Sequence, residues 1–237
     1  MSTHPDLVDA VRTTLAAHAD PHRAIGQQQY MKSQLPYRGL TTPELRAVLR
    51  PVLADDTLAL RSRQEWETTI RTLWDEAAYR EEWYAALTLA RHPRYRAWRD
   101  GDAMELWRYL VVTGGWWDVV DDIATHLVRE QLVAQPETEP NRLREWAVDP
   151  NLWVRRTAII CQTGLRERLD RALLVDAIEA NLVGEHSRDF FIRKAIGWAL
   201  RDHAGVAPDW VRAFVGAHGA QLSGVSRREA MRHLAPA

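Results

Sequence analysis

Residues 114–127 read GGWWDVVDDIATHL. At about 100° per residue, Trp116, Val119, Val120, Ile123 and Leu127 fall on one compact apolar stripe. That period belongs to the buried side of a helix, because a half-buried strand alternates apolar and polar positions every two residues. Trp117 lies about a quarter turn off the stripe, and Asp121, four residues later, stands beside it on the same flank. The doubled tryptophan therefore divides: Trp116 is expected in the core, while Trp117 and Asp121 need another reason. Taken alone, the pair reads as a packed indole and a carboxylate that caps a helix or meets an arginine.

The helical period extends through the chain. Glycine and proline fall between periodic segments, and β-branched alternating runs are absent. Starts are marked at Thr41–Glu44 and Ser62–Glu65 as capping boxes, at Asp149-Pro150 as a cap followed by proline, and at Ser226–Glu229 as another box. Gly39, Gly101, Gly114, Gly164, Gly205 and Gly219 mark stops. The expectation is an all-α chain of about a dozen helices, an α-solenoid of about six HEAT-like helical repeats with a concave, basic binding face. A solenoid shares one continuous core, so residues 1–237 are expected to form a single domain.

A chain of 237 residues is long enough to bury a core without disulfides or metal staples. Its one cysteine, Cys161, excludes a disulfide framework and a cysteine-based zinc cage. The nine histidines form neither an HExxH motif nor a cluster at ligand spacing, and neither a Gly-rich phosphate loop nor a GxSxG elbow occurs. No metal or cofactor is expected. The start of the chain lacks a signal-peptide pattern, and no window approaches eighteen uninterrupted apolar residues. A cytoplasmic, monomeric protein without a membrane partner is the expectation.

The net charge of −1 hides an uneven distribution: residues 151–237 hold 13 Lys and Arg against 9 Asp and Glu, whereas residues 101–150 hold 4 against 10. The C-terminal surplus is nearly all arginine, since the only lysines are Lys32 and Lys194, and arginine suits bidentate contact with phosphate. In DPNLWVRRTAIIC (149–161), Arg156 projects between Leu152 and Ile159/Ile160. Its partly shielded guanidinium wants an anion, either an internal acid or a phosphate. In DFFIRKAIGWALR (189–201), Arg193, Lys194, Gly197 and Arg201 share a face with Trp198 at its margin. A glycine there permits close approach of another backbone, such as a nucleic-acid strand, and basic residues interleaved with aromatics are what a nucleic-acid groove requires. Arg227 and Arg228, in SGVSRREAMRHL (223–234), are further candidates for phosphate contact.

These segments, with QYMKSQLPYRGL (29–40) and in this order, resemble the AlkD family of DNA alkylation repair enzymes, HEAT-like-repeat alkylpurine DNA glycosylases. The resemblance implies a catalytic cleft formed by Trp117, Asp121, Arg156 and Trp198, with Tyr30 nearby. It implies hydrolysis of the glycosidic bond of N3- or N7-alkylated purines in duplex DNA, without drawing the base into a deep pocket. Such a purine carries a positive charge and leaves without protonation. Asp121 would stabilise the oxocarbenium-like sugar and position water. Trp117 and Trp198 would offer indole faces to the cation, and Arg156 would anchor the phosphodiester, which accounts for its shielding without an internal acid. With no lysine beside the Trp/Asp pair, the expectation is a monofunctional enzyme. The competing readings are a catalytically silent HEAT-like DNA-binding or damage-sensing protein, and a helical scaffold for other proteins.

Overall fold

A computed structural model describes residues 4–234. Fourteen α-helices and no strand occur among the described residues, so the chain is all-α as its period predicts. No helix of the described residues is long and apolar enough to cross a membrane. The chain divides into two compact units, the first running to Arg99 and the second starting at Asp100.

The first unit holds α1 (Pro5–Ala17), α2 (Pro21–Met31), α3 (Thr42–Ala54), α4 (Arg63–Asp75) and α5 (Arg80–Ala90). Its core gathers Leu7, Val11 and Leu15 of α1, Leu45 and Leu49 of α3, and Trp66, Ile70 and Leu73 of α4, all buried. Thr41 forms the predicted capping box with Glu44. Ser62 caps α4 by accepting from the Glu65 N–H, but the Glu65 carboxylate turns to the Arg61 N–H instead of closing the box.

The segment leading into α3 hangs on a buried acid that the sequence did not announce. Glu81 is fully buried, and its carboxylate accepts from the N–H groups of Arg38 (2.9 Å), Gly39 (2.8 Å) and Leu40 (3.2 Å). Three donors compensate the loss of hydration that burial imposes on the charge. Gly39 is needed at this turn: its φ is +97°, and a Cβ would collide with the Asp20 carbonyl oxygen.

The second unit holds α6 (Ala103–Gly114), α7 (Trp117–Asp122), α8 (Arg129–Ala134), α9 (Glu139–Ala147), α10 (Leu152–Ile160), α11 (Arg171–Glu179), α12 (Phe190–Ala204), α13 (Pro208–Ala217) and α14 (Gly224–Ala230). Successive helices pack on one another in the manner of a helical repeat: α10 lies against α9 and α12, and α12 against α13 and α14. Gly115 ends α6 in the left-handed conformation, φ +48°. From Trp117 the backbone runs unbroken to Ala134, passing through a π-helical stretch at Ile123–Val128 directly after α7. Such wide turns insert a residue into an α-helix and are frequent at functional sites.

Three local readings need correction. Trp116 is not a helical residue of the apolar stripe: its backbone is extended (φ −151°, ψ 148°), and only Val119, Val120, Ile123 and Leu127 form the buried side. Its half-buried indole instead meets Trp153 and Phe191, with ring centroids 6.0 and 5.3 Å away. The cap of α10 is Asn151, which accepts from the N–H groups of Trp153 and Val154, while Asp149 accepts from the Asn151 N–H and pairs with Arg108. The cap of α14 is Ser223, and Ser226 is inside the helix. That shift of three residues frees Glu229 from any capping box and points it at α12.

Glu229 explains the glycine in the middle of α12. A Cβ on Gly197 would stand 2.6 Å from the Glu229 Cβ and 3.1 Å from the Ser226 carbonyl oxygen. The close approach is therefore made by α14, within the protein, rather than by a nucleic-acid strand. Gly197→Ala is expected to destabilise the protein despite alanine's better helix propensity, because overpacking costs about 1–3 kcal/mol against a gain of about 1 kcal/mol. A lower urea midpoint is the expected reading; an unchanged or higher midpoint contradicts this packing.

Candidate functional site

α7, α10 and α12 converge on one ion pair. Asp121 lies one turn after Trp117 on α7, and Arg156 lies in the middle of α10. The guanidinium meets the carboxylate edge to edge: Arg156 Nε donates to Asp121 Oδ1 at 2.7 Å and Nη2 to Oδ2 at 2.8 Å. Arg156 Nη1 donates to the Phe191 carbonyl oxygen at 2.6 Å, tying both groups to the first turn of α12. The Arg156 side chain is 6% exposed and that of Asp121 17%. The sequence left two anions open for Arg156, and the structure supplies the internal one. The expectation that its guanidinium goes without an internal acid is thereby corrected.

Burial, the largest influence, pushes the Asp121 carboxyl above its ordinary value of 3.8; the hydrogen bonds and charge of Arg156 oppose this, and the charge of Asp118 adds to the rise. The folded protein therefore holds this proton more tightly than the unfolded chain. The contribution to stability falls as pH rises from the ordinary aspartate range through the raised value. Following the Asp121 carboxyl carbon by NMR should give a midpoint above 3.8 in the wild type and a lower one in Asp118→Asn. A wild-type midpoint below the ordinary range contradicts the sign.

The two indoles lie on two of these helices. Trp117 opens α7 and Trp198 sits two turns into α12; both are half-buried, and neither makes a ring contact or hydrogen bond among the described residues. A separate aromatic group, Trp116, Trp153 and Phe191, packs ring against ring. Tyr30 lies on α2 of the first unit with 76% of its surface exposed.

The basic face of α12 is occupied. Lys194 donates to Glu229 at 2.9 Å, Arg201 pairs with the same carboxylate, and Arg193 Nε donates to the Ser187 carbonyl oxygen at 3.0 Å. Burial, then the charges of Arg201, Arg232 and Arg156, hold the Lys194 ammonium below its ordinary pKa. Arg227 and Arg228 are exposed on α14. A groove of ≈ 410 Å³ is lined by Phe190, Lys194, Val225, Arg228, Glu229 and Arg232. Phe190, 60% exposed, and Glu229 are among the contributors that sequence reasoning missed. Phe190 was legible as the outer member of FF at the start of α12. Glu229 was not, because its direction depends on the true start of α14.

Among the described residues no group of three His, Cys, Asp or Glu side chains could hold a metal ion. Cys161 is fully buried, which pushes its thiol up to about 12 and leaves it without thiolate chemistry near neutral pH.

A family model described as DNA alkylation repair enzyme matches residues 11–234. Among solved structures, a chain described as "Predicted DNA alkylation repair enzyme from Enterococcus faecalis" is similar to this one with a TM-score of 0.77 and 26% identity, over 92% of this chain and 98% of that chain. No curated protein matches the chain.

Proposed function

The chain belongs to the DNA alkylation repair enzyme family, and from that premise we propose that it is a monofunctional DNA glycosylase. Its substrate is duplex DNA carrying cationic N3- or N7-alkylated purines, and its products are the free base and an abasic site. The observation that carries the reading is the Asp121 carboxylate, held bidentately by Arg156 at 17% exposure, one helical turn after the half-buried Trp117.

An alkylated purine already carries the positive charge that makes it a leaving group, so the protein need not donate a proton. The remaining requirement is to stabilise the cationic sugar formed as the bond breaks and to deliver water to it. A carboxylate shielded from solvent acts through a lower effective dielectric than one in bulk water, and a fixed one costs no reorganisation at the moment of reaction. Each Asp121 oxygen spends one acceptor site on Arg156 and retains another for a water molecule. Arg156 is thus a positioning residue for the carboxylate, in place of the phosphate anchor that the family resemblance implied. The faces of Trp117 and Trp198 add cation–π attraction, worth about 2 kcal/mol when desolvated.

DNA contact in this reading falls to Arg227 and Arg228 on α14, to Lys194, Arg201 and Arg193 as members of the charged cluster on α12, and to Tyr30 on α2. One chain acts alone, without a cofactor, and the lesion is not drawn into a deep pocket. Selectivity then follows lesion charge and bond lability more than base-edge recognition.

Base release from matched duplexes containing 3-methyladenine, 7-methylguanine or an uncharged lesion tests the chemistry. The two cationic lesions are expected to be excised and the neutral one spared. Equal rates on all three overturn the dependence on leaving-group charge. Binding without any excess base release leaves a silent DNA-binding protein.

A further inference from the structure

Asp189 holds the N-cap position of α12, yet its carboxylate accepts no amide hydrogen bond from the helix it precedes. Aspartate is favoured at that position because its oxygen satisfies backbone N–H groups that the first turn leaves open. Asp20 and Asp170 do this at the starts of α2 and α11. The Asp189 carboxylate turns instead to His186, whose Nδ1 donates to Oδ2 at 2.7 Å.

His186 belongs to a single 3₁₀ turn, Glu185–Arg188, that follows Gly184 and leads into α12. Its other ring nitrogen, Nε2, donates to the Pro150 carbonyl oxygen at 3.1 Å, directly before Asn151 caps α10. The side chain is 15% exposed. One imidazole therefore ties the residue before α12 to the segment before α10. A carbonyl oxygen and an ionised carboxylate only accept, so the ring makes both bonds with a proton on each nitrogen, which a side-chain amide cannot imitate at both ends.

Both ends lead to the ion pair. Arg156 follows Pro150 along α10, and its Nη1 donates to the carbonyl oxygen of Phe191, close after Asp189 in the first turn of α12. The packing of the Phe191 ring on Trp153 brings the two turns together. Ring packing tolerates sliding, however, whereas a directional bond at each end sets the register.

We propose that His186 is a positioning residue for Asp121. Its ring fixes the starts of α10 and α12 against each other, so that the Phe191 carbonyl meets Arg156 and Arg156 holds the carboxylate toward the sugar. Asp189 forgoes its cap because its carboxylate is one jaw of this clamp. The consequence for catalysis rests on the glycosylase reading above.

In His186→Ala both bonds are gone and Arg156 loosens. The opposition of Arg156 to the rise of the Asp121 carboxyl then weakens, so the Asp121 midpoint followed by NMR should move above that of wild type. Single-turnover release of 7-methylguanine should fall roughly tenfold, as misplacement of a reacting group does. The Kd for an undamaged duplex should stay within about twofold. His186→Gln keeps one donor and should fall between wild type and His186→Ala in midpoint and rate; it carries the same decision should the alanine variant not fold. Ser187→Ala removes a neighbouring bond of the same turn, from Ser187 Oγ to the Gly184 carbonyl oxygen at 2.7 Å, and should leave midpoint and rate at their wild-type values. An unmoved midpoint and rate in the His186 variants overturn the proposal. So does an equal shift in Ser187→Ala, which assigns the effect to the folding of the turn, and so does a rate loss matched by a weaker Kd. If wild type releases no base, the glycosylase reading fails, and the Asp121 midpoints of the variants still decide the clamp.

Discussion

Asp121→Asn is expected to slow base release from a 7-methylguanine duplex by roughly 10²- to 10³-fold, the cost of removing one preorganised electrostatic group from a shielded site. Asparagine keeps the shape and one accepting oxygen for Arg156 but loses the charge that faces the developing sugar cation. The variant should still bind DNA, since the groups assigned to phosphate lie on other elements. Its rate must be read well below its melting temperature, because the substitution also leaves Arg156 opposite a neutral partner. A rate within a factor of a few of wild type would mean that Asp121 serves packing alone.

The largest expected effect on folding comes from the other half of the pair. Arg156→Met removes the partner of a carboxylate that is 17% exposed, together with the donor to the Phe191 carbonyl. Breaking one side of a buried ion pair costs about 3–5 kcal/mol, mostly from the charge left behind. The carboxyl relieves part of that cost by binding a proton, so its pKa, already raised by burial, should climb further and take base release at neutral pH down with it. The double variant Asp121→Asn/Arg156→Met should lose less stability than the two single losses added together, because no unpaired charge remains. Additive losses would contradict a coupled pair. Both effects are measurable by urea unfolding of the four proteins.

What the sequence disclosed about this pair, and what it concealed, follows from the range of each interaction. Helical period placed Trp117 and Asp121 on one flank, because residues four apart meet by geometry alone. The shielding of Arg156 was legible for the same reason. That the two satisfy each other across 35 residues was not, since only the packing of α7 against α10 brings them together; the sequence allowed an arginine for Asp121 and an internal acid for Arg156 without naming either. Gly197 shows the same limit in reverse. A missing Cβ announces a close neighbour without naming it, and the neighbour is Glu229 of α14.

Helix ends were the other blind spot. Asn151 and Ser223 cap their helices where Asp149 and Ser226 were expected, because several side chains near each start can accept the same amide bonds and tertiary contacts choose among them. For Ser226 the error mattered, as it hid the carboxylate that gathers Lys194 and Arg201. The buried Glu81, with its three backbone donors, gave no signal at all: acids in the first turn of a helix are ordinary, and only burial makes this one unusual.

The central claim is that this chain breaks the glycosidic bond of a cationic purine. Its most direct test is chromatographic detection of free 7-methylguanine, under single-turnover conditions, from a duplex carrying one such lesion. Release well above the spontaneous rate in a protein-free control, and nearly abolished in Asp121→Asn, is the predicted result; release no faster than that control contradicts it.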